Sequence, residues 1–237
     1  MSAGVAGSSS GQTDLTGRGS LPVITLDGPA ASGKSSVAKA LAARLGIAYV
    51  SSGLLYRAAA LLALEAGIDL GDEAAVLELL AAHTVRLVPE AGANRVQVDG
   101  RDVEPRLHTD DVDGSVSDVA RLPLVRQWVK DRLRELEGPF VIDGRDMGTT
   151  VFPAARWKFY LTAPTEVRAR RRVGERAADI AAVTAALSRR DERDARQSVP
   201  AADAVHIDTG PLSLGEVVDA VHDVVIAAWP GGGVTEA

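Results

Sequence analysis

At 237 residues the chain is long enough for one α/β domain with a small insert. Its formal charge of −6 supplies no basic field for nucleic acid or an anionic membrane, and the absence of cysteine excludes disulfides, thiolate zinc sites and cysteine nucleophiles. No apolar run approaches the ~18 residues that span a bilayer, so the expectation is a soluble, cytoplasmic protein with neither nucleic-acid nor membrane partners. Residues 1–20, rich in Gly, Ser and Thr, read as a flexible tail rather than a signal peptide, and 230–237 as a second loose tail.

Val23-Ile24-Thr25-Leu26 reads as a buried strand, and the chain turns helical after Ser35, with Val37, Leu41 and Leu45 on one face. Ala48–Val50 is a second strand and Gly53–Ala66 a helix that Gly67 can cap. Asp72 is placed to cap a third helix carrying Val76, Leu79 and Leu80. From Val85 to Val98 the period becomes alternating, with turn residues at Gly92-Ala93-Asn94 and Asp99-Gly100, which predicts an antiparallel insert over about 84–108. Helices are expected at Thr109–Ala120 and Pro123–Leu136, and strands at Phe140–Asp143 and Lys158–Leu161. Helices at Pro164–Arg176 and Ile180–Arg196 precede a fifth strand, Ala204–Ile207. Ser213-Leu214-Gly215-Glu216 is a capping box opening the last helix. The pattern predicts an α/β fold with five parallel strands covered by helices. It forms one domain over 21–229, with its core at 21–83 and 109–229.

The segment between the first strand and the first helix fits G-x-x-x-x-G-K-[ST]: Gly28, Pro29, Ala30, Ala31, Ser32, Gly33, Lys34, Ser35, then Ser36. Small residues let backbone N–H groups close around a phosphate, and the helix N-terminus favours negative charge there. Lys34 is expected to reach the β- and γ-phosphates of a nucleoside triphosphate, and the Ser35 hydroxyl to ligate Mg²⁺. The guanine reader of regulatory GTPases needs an Asn-Lys-x-Asp run, and Asn94 is the sole asparagine.

Polar groups also collect where other strands end, at Ser51–Arg57 and Asp143–Thr149. These are carboxyl edges of a parallel sheet, where ligands bind. A nucleotide-dependent switch would need no second pocket. Three segments, GPAASGKSS, SSGLLYRA and DGRDMGTTVFP, in this order and spacing resemble the bacterial cytidylate kinases, over roughly residues 21–228. The resemblance implies a P-loop kinase fold, ATP as phosphoryl donor, Mg²⁺, and CMP or dCMP as acceptor; with no large apolar stripe left unexplained, a monomer is expected. A second P-loop kinase class, acting on shikimate or another nucleoside monophosphate, keeps the triphosphate site and changes the acceptor groups.

On that resemblance Arg57 and Arg145 hold the acceptor phosphate, with Ser52 and Tyr56 as hydroxyl partners. Asp146, Arg126 and Ser117 read the base: a carboxylate accepts from the cytosine N4 amino group, and arginine and hydroxyl donate to N3 and O2. Asp143, closing an apolar strand, is placed to orient Mg²⁺. Arg190 and Asp194 face the ribose. Arg168, Arg171 and Arg172, at i, i+3 and i+4, are expected on one face of a lid over about 164–190 that closes on the transferring phosphoryl. Two departures stand out: Gln197 occupies a position where the family carries arginine, with Arg196 one residue earlier, and Ser51 stands where aspartate is common. The four histidines show no ligand spacing.

Overall fold

The first strand, β1 (Val23–Asp27), lies inside the sheet, paired in parallel with β6 (Phe140–Asp143) on one side and β7 (Trp157–Thr162) on the other. The computed structural model describes residues 22–90, 92–175, 179–195 and 198–228. β2 (Ala48–Ser51) pairs with β6, and β8 (Val205–Asp208) with β7, completing the five expected parallel strands. Side chains alternate across the sheet, so β6 serves two cores. Phe140 and Ile142 pack with α2 (Gly53–Ala66), α3 (Glu73–Ala82), α4 (Asp110–Ala120) and α5 (Pro123–Arg134). Val141 packs on the opposite face with α1 (Lys34–Leu45) and α8 (Leu214–Ile226).

The caps follow the sequence. Gly46 and Gly67 take φ 66° and 65° in the left-handed region that ends α1 and α2. Asp72 accepts from the Ala75 N–H at 3.1 Å, and Ser213 and Glu216 form the reciprocal box that opens α8.

The expected antiparallel insert joins the main sheet. β3 (Val85–Glu90), β4 (Ala93–Val98) and β5 (Arg101–Asp102) continue the same sheet, giving eight strands in the order β5-β4-β3-β2-β6-β1-β7-β8. β3 runs antiparallel to β2, meeting it at Tyr49 and Glu90, and Asn94 accepts from the Ser51 N–H at 3.2 Å. The physical reason is edge protection: without the insert, β2 would present its unpaired backbone to solvent. Beyond β7, the antiparallel pair α6 (Thr165–Glu175) and α7 (Ile180–Asp194) stands over the phosphate loop, with Leu187, Ala169 and Ala30 in a small apolar cluster between them. The expected tails and the Arg196 and Gln197 positions lie outside the described residues.

Candidate active site

The loop after β1 crosses the carboxyl edge of the sheet too closely for side chains. A Cβ on Gly28, at φ 143°, would sit 2.1 Å from the Leu161 carbonyl oxygen, so only glycine fits. Ala31 and Gly33 also take positive φ, 58° and 90°, curling the loop before α1 begins at Lys34. Lys34 is buried and donates to the Pro29 carbonyl at 2.6 Å. Burial, and then the nearby Arg145 cation, lower its pKa to about 7. Anionic phosphate is the partner that would restore its charge.

At the end of β6, Asp143 accepts from the Ser35 hydroxyl at 2.5 Å and from the Tyr49 hydroxyl at 3.2 Å. Among the described residues no group of three or more His, Cys, Asp or Glu is placed to hold a metal. Mg²⁺ in phosphoryl-transfer sites takes one or two carboxylates plus substrate oxygens and water. Asp143 and the adjoining Ser35 hydroxyl are a donor set of that kind.

Beside the loop opens a cavity of about 240 Å³ into which Lys34, Ser35, Arg57, Ser117, Arg126, Asp146, Arg172, Arg190 and Asp194 all project. Four of its arginines are held by carboxylates. Arg126 Nη2 donates to Asp146 at 2.5 Å, and its guanidinium lies 5.9 Å from the centre of the Tyr56 ring. Burial pushes the Tyr56 hydroxyl up to about 12, so it remains a neutral hydroxyl. Arg57 meets Asp113 at 2.5 Å and donates to the Leu107 carbonyl at 2.7 Å. Arg145 donates to the Gly28 carbonyl at 2.6 Å and pairs with Asp194 at 3.1 Å. Arg190 lies 3.7 Å from Asp194, and burial lowers its pKa to about 10. Ser52 is buried, and its hydroxyl donates to the Asp143 carbonyl at 2.7 Å, which uses the proton expected for a phosphate.

The three lid arginines do not act as one row, contrary to expectation. Arg168 is 4% exposed and spreads its guanidinium over the Asp191 carboxylate (2.6 Å), the Ala163 and Ala30 carbonyls and the Thr165 hydroxyl. Those bonds pin α6 to α7 and to the phosphate loop, leaving no donor facing the cavity. Arg171 turns the other way, donating to the Thr209 hydroxyl at 2.9 Å and to its carbonyl at 2.5 Å. Only Arg172 lines the cavity. Residues three and four apart on a helix differ by roughly 60° and 40° in direction, enough to separate these fates where two loops crowd α6.

A second depression, about 310 Å³, adjoins the outer side of the loop and is lined by Ser36, Gly33, Arg171, Thr209, Leu212 and Leu214. Sequence reading placed Ser36 with the phosphates. It is exposed and faces this depression instead. Tyr49, Asp113, Thr209 and Asp27 are further residues around the site that sequence reading does not name. Asp27 alone carried a signal: a carboxylate closing an apolar strand just before the glycine loop.

The family model described as "Cytidylate kinase" matches residues 24–226. The cytidylate kinase of Thermus thermophilus is 60% identical over 196 residues, covering 83% of this chain and 94% of that one. The cytidylate kinase of Deinococcus radiodurans is 57% identical over 196 residues, covering 83% and 95%. That of Geobacillus kaustophilus is 43% identical over 213 residues, covering 85% and 95%.

Proposed function

The chain belongs to the cytidylate kinase family, and from that premise we propose how its residues move the γ-phosphoryl of ATP to CMP or dCMP, giving ADP and CDP or dCDP. The observation that carries the reading is one cavity with the phosphate-loop lysine on one wall and the Arg126–Asp146 pair on the other. The donor triphosphate lies along Gly28–Ser35 with Lys34 against its β- and γ-phosphates. Its base and ribose fall toward the depression beside Arg171 and Thr209. Ser35 and Asp143 would hold Mg²⁺, whose charge offsets that of the donor phosphates.

On the acceptor side, Arg57 and Arg145 grip the monophosphate, and Tyr56 backs Arg126. Asp146 accepts from the cytosine N4 amino group, while Arg126 and Ser117 donate to N3 and O2. Uracil would set its O4 lone pairs against the Asp146 carboxylate. Arg190 and Asp194 take the ribose. An oxygen of the acceptor phosphate attacks the γ-phosphorus in line, and the bond to the β–γ bridging oxygen breaks. That bridging oxygen leaves on ADP. The attacking oxygen is already anionic, so positioning and charge neutralisation carry the rate without a general base. Arg172 is the lid cation for the transferring group. Arg168 holds the lid in place.

A monomer remains the proposed state, to be read by sedimentation of the purified protein. No helix among the described residues is long and apolar enough to cross a membrane, and a cytoplasmic setting matches the ATP requirement. A panel of CMP, dCMP, UMP, AMP and shikimate, with ADP release coupled to absorbance, tests the reading. CMP and dCMP should be the best acceptors, with no ADP formed when an acceptor is absent. Equal rates with UMP would overturn the base assignment.

A further inference from the structure

Asp27 closes β1 beneath the cavity, is 4% exposed, and does not line the site. Its two carboxylate oxygens accept from two consecutive backbone N–H groups, Met147 at 2.9 Å and Gly148 at 2.8 Å. Those amides open the single π-turn Met147–Val151, where no preceding carbonyl is in reach, so a buried acceptor must come from elsewhere. The segment immediately before them, Asp143–Asp146, carries the cation-side carboxylate, one phosphate arginine and the base-reading carboxylate. Thr25, two residues earlier on the same face of β1, closes the other side of the clamp. A Cβ added at Gly148 would lie 2.9 Å from its hydroxyl oxygen and 3.2 Å from Lys158 Cδ. The turn is therefore seated directly on β1 with no room for a side chain between them.

We infer that Asp27 is a positioning residue for acceptor recognition, seating the 143–148 segment so that Asp146 and Arg145 point into the cavity. The inference rests on the base-reading role proposed above for Asp146. Burying a carboxylate in the middle of a sheet is costly, and burial raises its pKa to about 6 despite the two amide bonds. An apolar residue there would leave the Met147 and Gly148 amides without acceptors, and Asp146 is one residue upstream of them. Lys34 lies near enough to share charge with Asp27, so the competing role is support of the donor lysine.

The two roles separate in the full-length enzyme. Asp27→Asn keeps one acceptor but turns an NH₂ toward the second amide. It should lower the ratio of kcat/KM for CMP over UMP by about tenfold or more, chiefly through the KM for CMP. The Kd of a non-hydrolysable ATP analogue, measured by calorimetry without acceptor, should move by less than about threefold, because Lys34 keeps its own contacts. In an Asp146→Ala background, Asp27→Asn should cost no further discrimination, since the two changes act through one segment. Unchanged discrimination in a folded Asp27→Asn protein overturns the inference, as does an analogue affinity that falls as far as that for CMP. Should Asp27→Asn not fold, amide exchange in the unaltered enzyme decides: the Met147 and Gly148 amides must exchange as slowly as those of β1, and fast exchange refutes the clamp. A parent enzyme without preference for CMP refutes the base assignment and leaves the clamp to the exchange experiment.

Discussion

The donor wall of the cavity uses eight consecutive residues, Gly28 to Ser35, and shapes them by backbone conformation: two glycines and Ala31 at positive φ, and carbonyls turned onto Lys34, Arg145 and Arg168. The acceptor wall draws on α2, α4, α5, the 143–148 segment and α7, and holds its cations by Arg–Asp pairs: Arg57–Asp113, Arg126–Asp146 and Arg145–Asp194. One wall binds a group common to all nucleotides and can be a fixed mould. The other has to tell one base from another, so it uses directional donors and acceptors that partly buried carboxylates orient before the ligand arrives. Damage to the first wall should therefore slow every reaction alike. Damage to the second should change which acceptor is used.

Removal of Lys34 is the largest expected effect. Lys34→Ala should lower kcat by about 10³-fold or more with any acceptor, because it deletes charge complementarity to the transferring group, with the CMP-to-UMP ratio untouched. Asp146→Ala should do the reverse. The preference for CMP over UMP should fall by about 10²–10³, mostly through loss of CMP, with the Kd for ATP within about threefold of the parent. Steady-state kinetics on the two acceptors reads both. A lysine variant that loses base choice, or an Asp146 variant that keeps it, would contradict the division between walls.

The same division explains what could be read without coordinates. The donor loop is contiguous, so Gly28, Gly33, Lys34 and Ser35 announce themselves by spacing, and the flanking strand and helix follow from periodicity. Arg57, Arg126, Arg145, Asp146 and Ser117 came from a family resemblance rather than from spacing. Two supporting carboxylates were invisible because their partners lie far away in sequence: Asp113 is 56 positions from Arg57, and Asp27 is 121 from Gly148. Helical spacing put Arg168, Arg171 and Arg172 on one face but could not show that Asp191 and Thr209 claim two of them. The insert's alternation was legible, whereas its attachment to β2 depends on an edge that only the sheet order reveals.

Arg168 and Arg172 give the next smaller effect and divide the lid into anchor and working residue. Arg168→Ala leaves Asp191 without its buried partner and should cost about 3–5 kcal/mol of stability, read by denaturant unfolding. Arg172→Ala, at the cavity, should leave unfolding unchanged within about 0.5 kcal/mol while lowering kcat. A stable Arg168→Ala enzyme with the larger kcat defect would restore the single-row reading of the lid.

The smallest effect is a pH signature in Asp27. Its carboxyl is raised from 3.8 to about 6 in the folded chain, so between those values the native state binds the proton that the unfolded chain has released. The stability of the parent relative to Asp27→Asn should therefore be greatest below about pH 4, fall as pH rises through 6, and level off by pH 7, a total of about 2–3 kcal/mol. Lys34, Asp146 and Tyr160 face the same carboxylate and are present in both proteins. Urea midpoints for the pair at pH 4, 5, 6 and 7 measure it. A difference that grows with pH would mean the amide bonds outweigh burial, placing Asp27 among ordinary stabilising carboxylates. The expected sign marks a carboxylate whose ionisation costs the fold stability as pH rises to neutral, a cost that its hold on the base-reading segment explains.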